Sequence, residues 1–277
     1  MIDSSHERPD QCLGKPVGWL RSTTLGLLIL ILGISTAAFS QDSSPRSPGE
    51  KKKPPSTAAS REALEKLKLP GVKIDLDERC IDVDATVCLD AGTLELIACT
   101  NDTKEHESIV AIDAKAVHIH TALLLLGSKS GNPAMRKRVG EKEERWVDIP
   151  PAGGVVGVSL VFKNDAGKTI ERPISDFITS TDRGADSEEA PSFPGNDFLF
   201  AGSHLVDAGT GPRAYLSDRS GNVISITTFG DELLCLPEIH GHGNDSLLWQ
   251  IDDTHLPPVG SKLTLRLRPE SKLPAKK

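Results

Sequence analysis

The feature that most constrains this chain is a period of two in its apolar residues, which begins at Val72. Apolar residues alternate there with charged or polar ones in short runs, first Val72-Ile74-Leu76, then Ile81-Val83, and so on to Leu96. Such alternation places the apolar side chains on one face of a strand. Turns rich in Asp and Gly separate the runs. The pattern therefore predicts a meander of short β-strands with one face in solvent.

One segment interrupts this alternation. Asp113 to Gly127 is rich in Ala and Leu, has Asp at the N-cap position and ends at Gly, so it predicts the main helix, over about residues 114–126. Hairpins are predicted beyond it at 155–174 and at 213–229. Together these elements predict a single α+β domain over residues 61–277, in which antiparallel strands dominate.

The N-terminal part of the chain has a different character. Residues 25–39 carry no charge, end in small residues and lead into Ala38-Phe39-Ser40. A helix that spans a bilayer needs about 20 apolar residues, so residues 1–40 are predicted to be a cleaved signal peptide for export to the periplasm, the cell envelope or the medium. The alternative is an uncleaved membrane anchor through residues 25–39, because the region before them has no net positive charge. Residues 41–60, rich in Pro, Ser and Lys, are predicted to be a disordered spacer.

Charge and motifs exclude several functions. The 277 residues have a net charge of −7 and no basic stripe, which argues against nucleic-acid binding. No Walker loop, GxGxxG, GxSxG, HExxH or CxxC motif is present, so no reaction can be assigned. The sequence favours a non-catalytic domain that binds a small ligand or an envelope protein. Membrane contact is expected only through the N-terminal segment, if that segment stays uncleaved.

Three stretches resemble the YdjY-domain proteins. They are Cys88 to Gly131, Asn196 to Ser203 and Tyr215 to Phe229. The most specific parts are the string KEHES, which starts at Lys104, and the pattern H-x-ALL-x-LG that follows it. The resemblance covers most of residues 72–269. YdjY domains occur in exported bacterial proteins and have no known function, so the resemblance implies a compartment and related folds but no activity.

The KEHES string predicts a candidate binding site. His120 falls at the histidine of the family pattern H-x-ALL. We hypothesise that His106, Glu107 and His120 converge, because histidine and carboxylate ligands suit a divalent metal such as Zn²⁺. Glu95 and Lys104 are expected nearby, and the same site could instead bind a small acidic ligand. A metal-dependent, hydrolase-like enzyme is the alternative function of this site, and hydrogen-bonded packing of both histidines is the competing interpretation.

Four cysteines follow the predicted signal peptide, and four cysteines allow three disulfide connectivities. Disulfides persist in the oxidising compartments to which exported proteins go. Cys88 and Cys99 flank the predicted turn at Gly92, and the resembling proteins carry both positions. The resemblance therefore favours a Cys88–Cys99 disulfide, whereas the alternative is a pair of buried free thiols.

Overall fold

Half of the described β-strands, eight of sixteen, close into a barrel. The structure is a computed structural model that describes residues 67–140, 145–181, 192–241 and 247–270. It is 42% strand and 14% helix, and eight of the strands form the closed barrel. The predicted signal peptide and spacer lie outside the described residues.

The strands, numbered in chain order, are β1 (Val72–Asp75), β2 (Cys80–Val87), β3 (Leu96–Thr100), β4 (Ser108–Ile112), β5 (Met135–Val139), β6 (Arg145–Ile149), β7 (Val155–Lys163), β8 (Thr169–Pro173), β9 (Ile178–Ser180), β10 (Asp197–Phe200), β11 (Leu205–Val206), β12 (Ala214–Tyr215), β13 (Asn222–Ser225), β14 (Leu234–Cys235), β15 (Trp249–Ile251) and β16 (Lys262–Pro269). The α-helices are α1 (Ala116–Leu125) and α2 (Leu216–Ser220), and single 3-10 turns form at Glu105–Glu107, Ile174–Phe177 and Asp253–His255. None of the helices in the described ranges is long and apolar enough to cross a membrane.

The barrel follows the strand order β2, β16, β7, β10, β14, β13, β3, β4 and returns from β4 to β2. Two neighbouring pairs, β3–β4 and β13–β14, are parallel, and the other pairs around the barrel are antiparallel. One edge of β2 and one edge of β7 each pair with two different strands along their length. The first half of β2 pairs with β1 and its last residues with β4, while β7 divides in the same way between β8 and β10. Closure pairs the strand edges that an open sheet would leave exposed.

The barrel encloses the apolar faces that the alternation predicted. In β2, Ile81, Val83 and Ala85 are at most 4% exposed, whereas Asp82 and Asp84 point outward. Helix α1 packs on the barrel through the buried residues Ala116, Ile119, Ala122 and Leu123. The helix therefore covers part of the barrel rather than forming a second layer of comparable size.

The predicted α+β class is wrong, because the domain is a mostly β barrel. A helix is present at Ala116–Leu125, inside the predicted range, but it is a minor part of the domain. The period of two predicts strands and their buried faces, but it does not specify their partners. Closure rests on pairs that are remote in sequence, such as Asp82 with Arg266.

The two predicted hairpins had different outcomes. The first is confirmed, since β7 and β8 pair across the turn at Asn164–Gly167. The second is wrong, because Leu216–Ser220 forms α2, which ends at Gly221 in the left-handed conformation. The following strand, β13, then pairs with β3 and β14. A Ser-Gly-Asn sequence fits a hairpin turn and the end of a short helix equally well.

Candidate functional site

The KEHES string forms a 3-10 turn that leads from β3 into β4. Its Lys104 side chain is held in place on two sides. The Nζ atom lies 2.9 Å from Oε1 of Glu107 and 3.8 Å from the ring centroid of Phe229. The side chain of His106 is 76% exposed, with its Nε2 3.7 Å from Oε2 of Glu107. This turn therefore holds a largely covered cation–carboxylate pair and an exposed imidazole.

Glu95 joins this turn through its main chain. Its N–H donates to the carbonyl oxygen of Glu107 at 3.2 Å, and its own carbonyl accepts from the N–H groups of Ile226 and Thr227. The structure thus brings Glu95 to the turn that contains Lys104, His106 and Glu107. Four of the five residues predicted to bind a ligand share one region, and their role in binding stays a prediction.

His120 has different neighbours, because it lies on α1 and pairs with Tyr215. Its Nδ1 is 2.8 Å from the Tyr215 hydroxyl, which donates to the carbonyl oxygen of Gly202 at 2.9 Å. A tyrosine hydroxyl has one hydrogen to donate, so Nδ1 of His120 is the donor in this pair and Nε2 carries the lone pair. Burial lowers the pKa of His120 and raises that of Tyr215. Both side chains are therefore neutral at pH 7.

No metal-ligand set forms among these side chains. Within the described ranges, no three His, Cys, Asp or Glu residues are grouped so that they could hold one metal ion. His106, Glu107 and His120 are thus not brought together as ligands. The sequence placed His120 at the site through a family pattern, but α1 directs it to Tyr215 and to Phe200, whose ring centroid lies 4.8 Å from that of the imidazole.

Replacing Tyr215 with Phe is expected to lower the free energy of unfolding by about 1–2 kcal/mol, because the part-buried Nδ1 of His120 and the carbonyl oxygen of Gly202 both lose their hydrogen bond with the hydroxyl. Urea unfolding measures this loss. His118→Ala, on the same helix but at an exposed hydrogen bond, is the control and should change stability by less than about 0.5 kcal/mol. Equal stabilities of wild type and Tyr215→Phe would contradict the assigned pair.

Cys88 and Cys99 are free thiols that meet beside Ser108. The Sγ of Cys88 lies 3.2 Å from the carbonyl oxygen of Ser108 and is hydrogen-bonded to the side chain of Cys99. The contact with Cys88 is the main cause that lowers the pKa of Cys99, and burial acts against it. The bond with Cys99, together with burial, raises the pKa of Cys88. The predicted disulfide is not formed in the structure, although the two predicted partners are neighbours.

A cleft of about 750 Å³ opens where α1 ends. Two glycine-rich segments, 126–131 and 153–155, line it together with Arg79 and Glu270. The segments are tied to each other, since the N–H of Gly154 donates to the carbonyl of Lys129 at 2.8 Å. The cleft therefore combines a stiff backbone wall with two cations, Arg79 and Lys129, and one carboxylate.

Glycine is needed in this wall because backbones pack directly on each other. A Cβ at Gly131 would lie 1.8 Å from the carbonyl oxygen of Ala152, and one at Gly153 would lie 2.2 Å from that of Phe200. At Gly202, which has φ = +88°, a Cβ would lie 1.9 Å from Oγ of Ser130 and 3.2 Å from Cε1 of His120. The lining residue Ser130 and the predicted residue His120 thus lie against the same glycine.

Sequence reasoning missed the residues of this cleft. In the sequence after α1, Gly-Ser-Lys-Ser-Gly at 127–131, Gly127 predicts the end of the helix, and the resemblance that extends to Gly131 implies no ligand there. The Gly-Gly pair at 153–154 is the matching signal. Arg79 could not have been found, because it comes from the β1–β2 turn and reaches the carbonyl oxygen of Leu126, 47 residues away, at 3.1 Å.

Comparison with known proteins gives one family. Residues 72–268 match the family model described as the YdjY domain. No curated protein and no solved structure matches the chain.

Proposed function

The chain belongs to the YdjY-domain family, and from that premise we propose that it is an exported, non-catalytic domain that binds a small molecule with an anionic group in the cleft at the end of α1. The uncharged segment 25–39 supports export. The single observation that supports ligand binding most directly is the cleft itself, which is lined by a glycine-rich backbone wall and by two cationic residues. Clefts of this volume, with a few polar groups, are common sites for small molecules.

Arg79 is well placed to orient an anion. The carboxylate of Asp75 accepts hydrogen bonds from the N–H groups of Asp77 and Glu78, both at 2.8 Å, and these bonds form a turn. Arg79 follows that turn in the left-handed backbone conformation, with φ = +52°. One guanidinium nitrogen donates to the carbonyl oxygen of Leu126. A guanidinium has five N–H donors, so others can bind a carboxylate or phosphate in the bidentate geometry that arginine favours.

Lys129 and the serines complete the anion-binding side of the cleft. Lys129 is exposed, and its carbonyl is fixed by the N–H of Gly154. Ser128 and Ser130 add hydroxyl groups to the same lining. Because hydrogen bonds already hold the wall, little conformational entropy is lost when a ligand binds to it.

Glu270 adds negative charge to the lining, which makes the cleft selective. A carboxylate next to the cations lowers the attraction for a simple anion and favours a ligand with a cationic group beside its anionic one. We therefore expect a zwitterionic amino acid to bind better than acetate or inorganic phosphate.

The test is a binding titration with three probes: L-alanine, acetate and inorganic phosphate. Thermal unfolding reports binding, because a ligand of the folded state raises the unfolding temperature. We expect L-alanine to stabilise the wild type most. Lys129→Ala should weaken binding about fivefold to tenfold, since a charge-assisted hydrogen bond is lost.

Lys168→Ala is the matched control, because Lys168 is an exposed lysine on the β7–β8 turn and is not part of the cleft. It should bind each probe as the wild type does. No stabilisation by any probe, or equal weakening in both lysine variants, would rule out this cleft as the site.

A further inference from the structure

Strands β5 and β6 form a two-stranded ribbon that lies in solvent. The ribbon joins Met135–Val139 to Arg145–Ile149 in an antiparallel pair, with Arg136 opposite Asp148. None of the residues in these two strands is buried, and Trp146 is 61% exposed. A two-stranded ribbon is only marginally stable in water unless one of its faces packs on something else. The ribbon is therefore a candidate for contact with a second surface.

The two faces of the ribbon differ in chemistry. Residues that pair across an antiparallel ribbon project their side chains to the same face. One face carries the ion pair between Arg136 and Asp148, with Nε and Oδ1 2.8 Å apart. It also carries Arg138 and Trp146. The other face, called here the apolar–basic face, has no carboxylate and consists of four apolar residues and two cations: Met135, Val139, Val147, Ile149, Lys137 and Arg145.

The ribbon gathers positive charge in a chain whose net charge is −7. Its strands contain one carboxylate, Asp148, and four cations: Arg136, Lys137, Arg138 and Arg145. On the apolar–basic face, Lys137 and Arg145 are exposed, and so are Met135 and Val147. Cations beside exposed apolar side chains complement a surface with anionic groups above an apolar layer. An anionic phospholipid bilayer has this chemistry.

The size of the apolar–basic face favours a lipid surface over a protein partner. Five residues in each of two strands cover roughly 17 Å by 10 Å. This area is well below the about 800 Å² that each partner contributes to a stable protein–protein interface. A bilayer sets no such minimum, because binding grows with each apolar side chain and each cation that reaches it.

We propose that the ribbon docks on an anionic phospholipid bilayer through its apolar–basic face. Lys137 and Arg145 lie at the level of the phosphates, while Met135 and Val147 enter the boundary between headgroups and acyl chains. The connecting residues 141–144, Glu-Lys-Glu-Glu, have three carboxylates to one cation and lie outside the described residues. Like charge repels them from the lipid, so the contact is assigned to the strands alone.

This contact goes beyond ligand binding in the cleft and involves none of the cleft residues, so the two proposals fail independently. It is also separate from any membrane contact through residues 25–39. That uncharged segment can hold the full chain on vesicles of any charge. The test therefore needs a readout at a single residue of the ribbon.

The test follows the acetylation of each lysine in the full chain by an amine-reactive ester, with mass mapping. Vesicles that mix phosphatidylglycerol with phosphatidylcholine should slow acetylation of Lys137 about fivefold, whereas phosphatidylcholine alone should slow it less than about twofold. Lys168 is the control, because it is exposed on the β7–β8 turn and outside the ribbon. It should react at the same rate throughout.

Two variants test the two kinds of side chain on the apolar–basic face. Arg145→Glu should remove the protection of Lys137, because one cation at the lipid surface contributes about fivefold to binding and its reversal adds repulsion. Arg213→Glu makes the same change of charge at an exposed residue outside the ribbon and should keep the protection. Met135→Asp should remove it by placing a charge among the apolar residues. Without vesicles, Lys137 should react in every variant as in the wild type, which checks that the ribbon is intact.

Three results would overturn the proposal. The first is equal acetylation of Lys137 with and without anionic vesicles, and the second is full protection in Arg145→Glu. The third is equal protection by neutral and anionic vesicles, since the cations would then have no role. Protection that appears without vesicles and rises with protein concentration would also overturn it, and would identify a second copy of the chain as the partner.

Discussion

Replacing Gly131 with Ala is expected to lower the free energy of unfolding by about 3 kcal/mol. The added Cβ would lie 1.8 Å from the oxygen and 2.2 Å from the carbon of the Ala152 carbonyl. Both are backbone atoms, so a side-chain rotation cannot relieve the overlap, and overpacking of this kind costs about 1–3 kcal/mol. The shift would also disturb the paired hydrogen bonds between Asn132 and Ala152, each 2.9 Å long, which adds about 1 kcal/mol.

Urea unfolding of Gly131→Ala and of Gly157→Ala distinguishes a specific clash from a general effect of removing glycine. A Cβ at Gly157 would have its nearest neighbour at 3.7 Å, an ordinary contact. That variant should change stability by less than about 1 kcal/mol. If both variants unfold at the same urea concentration, the close packing of the two cleft segments is not as the structure has it.

Arg266→Ala should be the second most damaging substitution, with a loss of about 2–3 kcal/mol. The guanidinium donates to both carboxylate oxygens of Asp82 at 2.7 Å and to Glu171 at 2.9 Å. It thereby links β16 to β2 and β8 on the outside of the barrel. The Arg266 side chain is only 21% exposed and that of Asp82 only 26%. Removing Arg266 leaves Asp82 without its cation, while Glu171 keeps Arg268, and an unpaired, largely buried carboxylate costs more than the loss of a surface ion pair. Lys73→Ala is the control, because its ion pair with Asp84 is largely exposed and is worth less than about 1 kcal/mol.

The effect of Arg266→Ala should depend on pH. Burial raises the pKa of Glu171, but hydrogen bonds from Ser159 and Arg266 outweigh it, so the pKa lies below its usual 4.5. A depressed carboxyl pKa stabilises the folded state above pH 4.5, and this stabilisation is lost as the pH falls through the folded pKa. The stability difference between wild type and Arg266→Ala should therefore shrink at about pH 3. A difference that grows on acidification would contradict the assigned network.

The sequence predicted local structure well and long-range pairing poorly. The turn at Asn164–Gly167 is specified by neighbouring residues, and the hairpin it predicts is present. The β2–β16 pairing joins Asp82 to Arg266 across 184 residues, and alternation of apolar residues contains no information about such a partner. Parallel neighbours such as β3 and β4 were not anticipated, because consecutive strands of a meander are expected to be antiparallel.

The same contrast applies to the site. Glu95, Lys104 and Glu107 were expected close together, and they are, because the turn between β3 and β4 folds back on the start of β3. The position of His120 depends on how α1 packs against Tyr215, 95 residues later. The cleft could not be predicted, since it is made where four separate segments meet.

The place of β16 between β2 and β7 has a consequence for the timing of folding. A growing polypeptide has β2 and β7 long before β16 is made, so the sheet stays open through most of translation. Pairing strands that are so distant in sequence requires a loss of chain entropy. Folding is therefore slow in proteins with many non-local contacts. A polypeptide that stops before Lys262 would expose the facing edges of β2 and β7 to other chains and to proteases. Such a truncated product would be cleared or would aggregate, rather than keep partial function.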